Sequence, residues 1–418
     1  MRLMKGPTLL FSIAALSACG RGKLGGTSAA SGGSSATSGS SASGASSSAG
    51  TGGAVATGSS AAGSGGASGT GGAASLGVPY VYVGGYSDSI YVFQLNRADG
   101  SLTPVGAPVA AGTSPSFLAV DPLHRTLFAV NEVSGGNGAV ASFSIDAHTG
   151  ALAFLSRVSS QGDGPAYVST DRTGAFALVA NYDGGTVAVL PVGAGGVLGA
   201  AVDVQDQGGT TANPHEMRTD AANRFAIVPN KGLSTVSQYA FDAATGKLSG
   251  AHTLATAPGG GPRHFDWHPT RPYAYLIDEI DSTMSALAYD AATGTLTKLQ
   301  TLSTLPAGYT GTSTGAEVQV APSGNFVYGS NRGHDSIVVF HVEGDGTLTL
   351  VADTPTLGQT PRHFQIEASG ELLLVANQGS GNVVSFRVDT AAGTLTPTGQ
   401  SVLVPMPSYV GTVYLAGP

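Results

Sequence analysis

The stretch Asp242-Ala243-Ala244-Thr245-Gly246-Lys247-Leu248 is a polar turn that ends in glycine and passes into a leucine opening an apolar alternation. The same Gly-x-Leu step stands at Gly100, Gly150, Gly196, Gly246, Gly294, Gly346 and Gly393, spaced by 46 to 52 residues. Glycine suits such a turn because it takes a positive φ at no steric cost. A supersecondary unit repeating at this period reads as a propeller blade.

Working upstream from each glycine, a second apolar strand ends in a polar pair: Asn131-Glu132, Asn181-Tyr182, Asn230-Lys231, Asp278-Glu279, Asn331-Arg332 and Asn377-Gln378, with Gly85-Tyr86 as the divergent copy. Further upstream a Pro-x-x strand begins at Pro115, Pro165, Pro214, Pro262, Pro361 and Pro407, with Gly315 in place of the proline in one copy. Each unit therefore runs inner strand, second strand, third strand, then the strand opened by Gly-x-Leu. The first unit lacks an inner strand and the last one, Ser408 to Leu415, has no partner after it, so the two ends must share a sheet. Such closure removes open sheet edges. The expectation is an all-β fold, a seven-bladed β-propeller whose last inner strand closes the first blade.

The N-terminus reads differently. Arg2 and Lys5 precede a short apolar run, Leu9 to Leu16, too short to span a bilayer. It ends in Leu16-Ser17-Ala18-Cys19, resembling the lipobox at which a diacylglycerol is attached, and Cys19 is the only cysteine of the chain. From Gly20 to Ser75 the sequence is almost wholly Gly, Ser, Ala and Thr, which buries too little apolar surface to order itself. As a flexible tether it reaches on the order of 40 Å. The expected organisation is a signal segment over 1–19, a linker over 20–77 and the propeller over 78–418, in a protein exported and held by lipid at a bacterial membrane, the outer one favoured because Gly20 does not resemble an inner-membrane retention aspartate.

A net charge of −8, with no basic run, argues against nucleic acid as a partner. Membrane contact is expected through the anchor alone, and the body is read as a monomer. No His or Cys spacing suits zinc, and no cofactor is called for. Gly311-Thr312-Ser313-Thr314-Gly315 matches a nucleophile-elbow pattern but lacks the strand before it and the helix after it.

Positions that recur in every blade serve the blade; positions that differ need another reason. The recurrent Asn at the second-strand end is read as a turn former. The two residues after each proline position are expected to face the channel mouth. They run Ser116-Phe117, Ala166-Tyr167, His215-Glu216, Arg263-His264, Ala316-Glu317, Arg362-His363 and Ser408-Tyr409. Ionisable residues cluster in four consecutive blades, joined by Lys231, Glu279 and Arg332, whereas the facing wall is small or aromatic. Charged groups on one wall and apolar surface on the other suit a bound small molecule. A plug of ion pairs is the alternative, because buried charges need partners.

At these residues the chain resembles the lactonase family of seven-bladed propellers, which includes propeller-type 6-phosphogluconolactonase and the fungal carboxymuconate cyclases. The likeness covers Val78 to Pro418 and rests on Asn181-Tyr182-Asp183-Gly184-Gly185, Pro214-His215, Gly261-Pro262-Arg263-His264 with Asp278-Glu279, Glu317 with Asn331-Arg332-Gly333, and Pro361-Arg362-His363-Phe364. The chain departs from the pattern at Asn230-Lys231-Gly232-Leu233-Ser234. The resemblance implies lactone hydrolysis, with His215, Arg263, Glu279 and Arg332 at positions matching the family's site. On this reading His215 or Glu279 is the general base, Arg263 meets the oxyanion, and Arg332, with Arg362, holds an anionic group of the lactone. His264, Glu317 and His363 complete the expected substrate-binding set. Two rivals remain at this stage: a surface-displayed binding propeller without catalysis, and a calcium-dependent lactonase using oxygen ligands.

Overall fold

Residues 77–136 and 138–416 are described by a computed structural model; Cys19 and the tether lie outside them. The described residues form seven antiparallel sheets in a ring. A representative blade runs Pro262–Trp267, Tyr273–Asp278, Thr283–Asp290 and Thr295–Ser303 from the channel outward. The alternation of the two central strands puts one apolar face of each sheet against the next, so the core lies in the spaces between blades rather than at the centre of the ring.

The strand Pro407–Leu415 pairs along Val78–Gly85 from Val78 opposite Leu415 to Gly84 opposite Tyr409, and this sheet continues through Ser89–Leu95 to Leu102–Pro104. The closure expected from the sequence is therefore present, and no helix among the described residues is long and apolar enough to cross a membrane.

The seven Gly-x-Leu glycines all have positive φ, from +68° to +85°. They serve packing as well as the turn. The place a Cβ would occupy is taken by Tyr80 at Gly150, Phe176 at Gly246, Phe225 at Gly294, Tyr273 at Gly346 and Phe326 at Gly393, each an aromatic from the preceding blade. Hydroxyls extend the same junctions: Tyr82 donates to the Gly150 carbonyl at 2.9 Å, Tyr275 to Gly346 at 3.2 Å and Tyr328 to Gly393 at 2.8 Å. The repeat thus staples each blade to its neighbour.

One local expectation is extended and another corrected. The recurrent Asn opens the turn, its carbonyl accepting from Gly185 at Asn181 and from Gly381 at Asn377, and its side chain is a brace as well: Asn131 Nδ2 donates to the Ala111 and Thr113 carbonyls, Asn181 to Ser160, Asn331 to Thr304 and Asn377 to Thr356, each tying the second strand to the loop entering its blade. The inner strands of two blades are also shorter than the proline positions suggested. One spans only Leu118–Val120, and the one in the His215 blade only Arg218–Thr219, with an isolated bridge from Pro214 to Asn230. His215 still donates its backbone N–H to the Pro229 carbonyl at 3.0 Å, so the chain at His215 and Glu216 stays beside the second strand although no continuous ladder is formed there.

Deleting residues 1–75 is expected to leave a single cooperative unfolding transition, whereas deleting 407–418 strips the closing strand and exposes the edge of Val78–Gly85 that it covers. Thermal unfolding of the two truncated proteins checks this; a chain ending at Met406 that melts as the parent does would contradict the closure.

Candidate active site

At one end of the channel a cavity of about 160 Å³ is lined by Glu132, Ala166, Tyr182, His215, Lys231, Glu279 and Arg362. Glu132, Tyr182, Lys231 and Glu279 are each the second member of the polar pair that ends a second strand, and Tyr86 and Arg332 hold the same position in their blades. Successive blades therefore deliver one side chain apiece to the mouth at the same height, and the first residue after the proline delivers another from below.

Glu279 is the hub of this surface. Its Oε1 lies 2.7 Å from Lys231 Nζ, and its Oε2 lies 3.1 Å from Arg263 Nε and 3.2 Å from Arg332 Nη2. Burial alone would raise the Glu279 carboxyl, but Arg332, Arg263 and Lys231 outweigh it and hold the group well below the usual carboxylate range. The cations are anchored elsewhere too. Arg263 donates through Nη1 to the Ala316 carbonyl, and Arg332 donates through Nη2 to Gly315 at 2.9 Å. Lys231 Nζ also donates to the Tyr182 hydroxyl at 2.8 Å. An ammonium carries three donors, so one remains for a ligand in the cavity. Arg362 has its guanidinium 5.3 Å from the centre of the Tyr86 ring, whose hydroxyl donates to Glu132 at 2.9 and 3.1 Å.

Burial, followed by the Arg263 charge, pushes His215 well below 6.5, so its imidazole is neutral at pH 7. Its Nδ1 is engaged by His264 Nε2 at 3.0 Å, which leaves Nε2 as the nitrogen available to a ligand in the cavity.

Of the predicted residues, His215, Glu279 and Arg362 line the cavity, while Arg263 and Arg332 reach it through Glu279. His264, Glu317 and His363 do not line it. The expectation that both residues after each proline face the mouth holds for the first only, because successive side chains of an extended chain point to opposite sides. The second set, Phe117, Tyr167, His264, Glu317 and His363, forms a buried waist across the channel. The ring of Phe117 meets Tyr167 at 4.2 Å and Tyr409 at 4.8 Å. Below the waist lies a second cavity of about 390 Å³, bordered by Glu317, His363, Arg218, Asp266, Gln319 and Gln365. Among the described residues no group of three or more His, Cys, Asp or Glu side chains is arranged to hold a metal ion.

A ring of seven blades, six of four strands and the closing one of five, with a charged cleft at one channel mouth defines a class, and comparison with known proteins identifies it: residues 80–412 match the family described as "Lactonase, 7-bladed beta-propeller". The chain belongs to that family. It is 33% identical to the 6-phosphogluconolactonase of Bacillus subtilis (strain 168) over 80% of its own length and 97% of that protein's, and 30% identical to the 6-phosphogluconolactonase of Formosa agariphila over 78% and 96%. Among solved structures, a periplasmic gluconolactonase of Pseudomonas aeruginosa superposes with a TM-score of 0.75 at 32% identity, covering 81% of this chain and 99% of the other.

Replacing Glu279 by Gln strands three clustered cations, a loss of about 3 kcal/mol by the usual cost of breaking a buried ion pair. Because the folded-state pKa is depressed, the carboxylate's contribution is fully present above its ordinary value of 4.5 and is lost as pH falls below it. Denaturant unfolding of parent and Glu279→Gln at pH 7 and pH 3 should show a wide stability gap that narrows in acid; a gap independent of pH would refute the assignment.

Proposed function

We propose that this chain is an exported, lipid-anchored lactone hydrolase that opens a sugar lactone, preferably one bearing an anionic group, in the cavity between His215, Lys231 and Arg362. The observation that carries the reading is the meeting, in one small cavity of a lactonase-family propeller, of a neutral histidine with a ligand-facing nitrogen and two cations with donors to spare. The names of the relatives, two 6-phosphogluconolactonases and a periplasmic gluconolactonase, support an aldonolactone substrate. The periplasmic neighbour and the signal ending at Cys19 together support an exported location, with the Gly/Ser/Ala tether holding the body off the lipid surface.

Hydrolysis requires a proton acceptor for water, donors for the tetrahedral oxyanion and a grip on the substrate. His215 Nε2 takes a proton from water while the water oxygen adds to the lactone carbonyl carbon. The oxyanion that forms is met by the remaining donor of Lys231, with Arg263 and Arg332 adding positive potential from behind Glu279. The ring C–O bond then breaks, and the alkoxide oxygen receives the proton from His215. Arg362 holds a carboxylate or phosphate of the substrate through its planar fork. Glu279 is unsuited as the base, since three cations keep it ionised and weakly basic; its work is to place those cations. That same network supports a second reading, in which the charges are a structural plug and the propeller is a binding module.

The test is hydrolysis of a panel of aldonolactones, phosphorylated and not, by the soluble body (residues 78–418). The parent is expected to release acid, His215→Gln to lose on the order of 100-fold in turnover, and Arg362→Ala to raise KM for anionic lactones more than for neutral ones. A folded parent that hydrolyses none of the panel would favour the plug.

A further inference from the structure

Directly beneath His215 the waist of the channel holds a line of hydrogen-bonding groups. His215 Nδ1 is 3.0 Å from His264 Nε2, and His264 Nδ1 is 2.8 Å from Glu317 Oε2. All three side chains are buried, at 4%, 2% and 6% exposure, so water does not substitute for the contacts they make with one another. The line begins at the upper cavity and ends at Glu317, which borders the lower one. We propose that Glu317, acting through His264, decides whether the Nε2 of His215 facing the active-site cavity presents a lone pair or an N–H.

A neutral imidazole carries one proton, on either nitrogen. When Glu317 is a carboxylate it accepts from His264 Nδ1–H. His264 Nε2 is then an acceptor for His215 Nδ1–H, and His215 Nε2 is left with its lone pair, the form a general base needs. When Glu317 is a carboxylic acid it donates to His264 Nδ1, to which Arg263 Nη1, 3.2 Å away, also donates. His264 then carries its proton on Nε2 and gives it to His215 Nδ1, and His215 Nε2 bears an N–H pointing at the ligand. The two states differ by one proton. A proton taken from water at His215 Nε2 moves along the line by one transfer from His215 Nδ1 to His264 Nε2 and a second from His264 Nδ1 to Glu317 Oε2, leaving both rings neutral. Neither ring has to hold an imidazolium inside the waist.

The surroundings favour that distribution. Burial, then Arg263, lowers both His215 and His264, while burial, then Glu216, raises Glu317 well above 4.5. The groups facing Glu317 are His264, His363 with Nε2 at 3.5 Å, Arg263, Arg218, Glu216 and Asp266, with Tyr167 and Tyr409 alongside; those facing His215 are Arg263, Glu279, Arg362, Lys231 and Tyr182. His264 and Glu317 are thus positioning residues, and the titration belongs to the line rather than to one member.

The proposal rests on His215 as the base of the lactone-opening site, and its test separates the two. Imidazole ¹⁵N shifts of the parent protein, recorded without any lactone, should show His215 and His264 exchanging tautomers together in one transition above the ordinary carboxylate range, with N–H at His215 Nε2 on the acid side. Activity should rise with pH through the same transition. In Glu317→Gln the joint exchange should vanish, turnover should fall about 100-fold, the lower end of what general-base catalysis contributes, and the acid limb should move to lower pH because His215 then titrates alone. Tautomers that do not change while activity does, or a Glu317→Gln protein keeping the parent's acid limb, overturn the proposal. The shifts of the parent decide the matter even where the variant fails to fold. A parent with the tautomer exchange and no hydrolysis would remove the proposed function and leave the line standing.

Discussion

Three cations converge on the single carboxylate of Glu279, drawn from three adjacent blades, and the shape of the channel mouth depends on that meeting. Without the carboxylate, Lys231, Arg263 and Arg332 would repel one another in a place where burial weakens screening by water. With it, the guanidinium groups are locked beneath the surface and the lysine ammonium is swung across the cavity to Tyr182, with one donor unengaged. Glu279 therefore sets both the positive potential of the site and the identity of the cation that faces a ligand. Burial, followed by the Arg263 charge, keeps His215 neutral, with Glu279 offsetting part of that effect: a positive field that would attract an oxyanion also opposes an imidazolium.

The ring provides the register that makes such a meeting reproducible. Each blade is fixed to the next at a glycine with positive φ, against an aromatic at five of the seven junctions and against Thr126, or Ser385 and Thr398, at the other two, and the ring is locked by the pairing of Pro407–Leu415 with Val78–Gly85. Equivalent positions in all blades consequently lie at the same height along the channel. Substituting at the second-strand end or just after the proline changes the chemistry at the mouth while leaving the stapling residues untouched. This separation lets one wall carry Lys231, Glu279, Arg332 and Arg362 while Phe117, Tyr167 and Tyr409 fill the opposite side of the waist.

The architecture was legible because the devices that build it repeat. Gly-x-Leu, the polar pair and the proline fixed strand order, blade number and the closing strand, and the structure agrees with each. The charged cluster was legible for the converse reason, since His215, Arg263 and Arg362 stand where their counterparts are Ser or Ala, and Lys231, Glu279 and Arg332 add charge at the second-strand ends of neighbouring blades. Depth was not legible. Arg263 and His264 are neighbours in sequence, yet one joins the network behind the mouth and the other the waist, because successive side chains of the strand Pro262–Trp267 point to opposite sides. Tyr86, Glu132 and Tyr182 occupy the same repeat position as Lys231 and Glu279, so the signal for them was present in the polar pairs; their role emerged only with the contacts they make across blades.

The central claim is that lactone chemistry belongs to the mouth above the waist and not to the larger cavity below it. A crystal structure of the soluble body with an aldonate, the unreactive product acid, tests this most directly. The account predicts the aldonate in the upper cavity, its hydroxyls and carboxylate within hydrogen-bond reach of His215 Nε2, Lys231 and Arg362. An aldonate bound instead in the lower cavity, between Arg218 and Gln365, with the mouth empty, would contradict it.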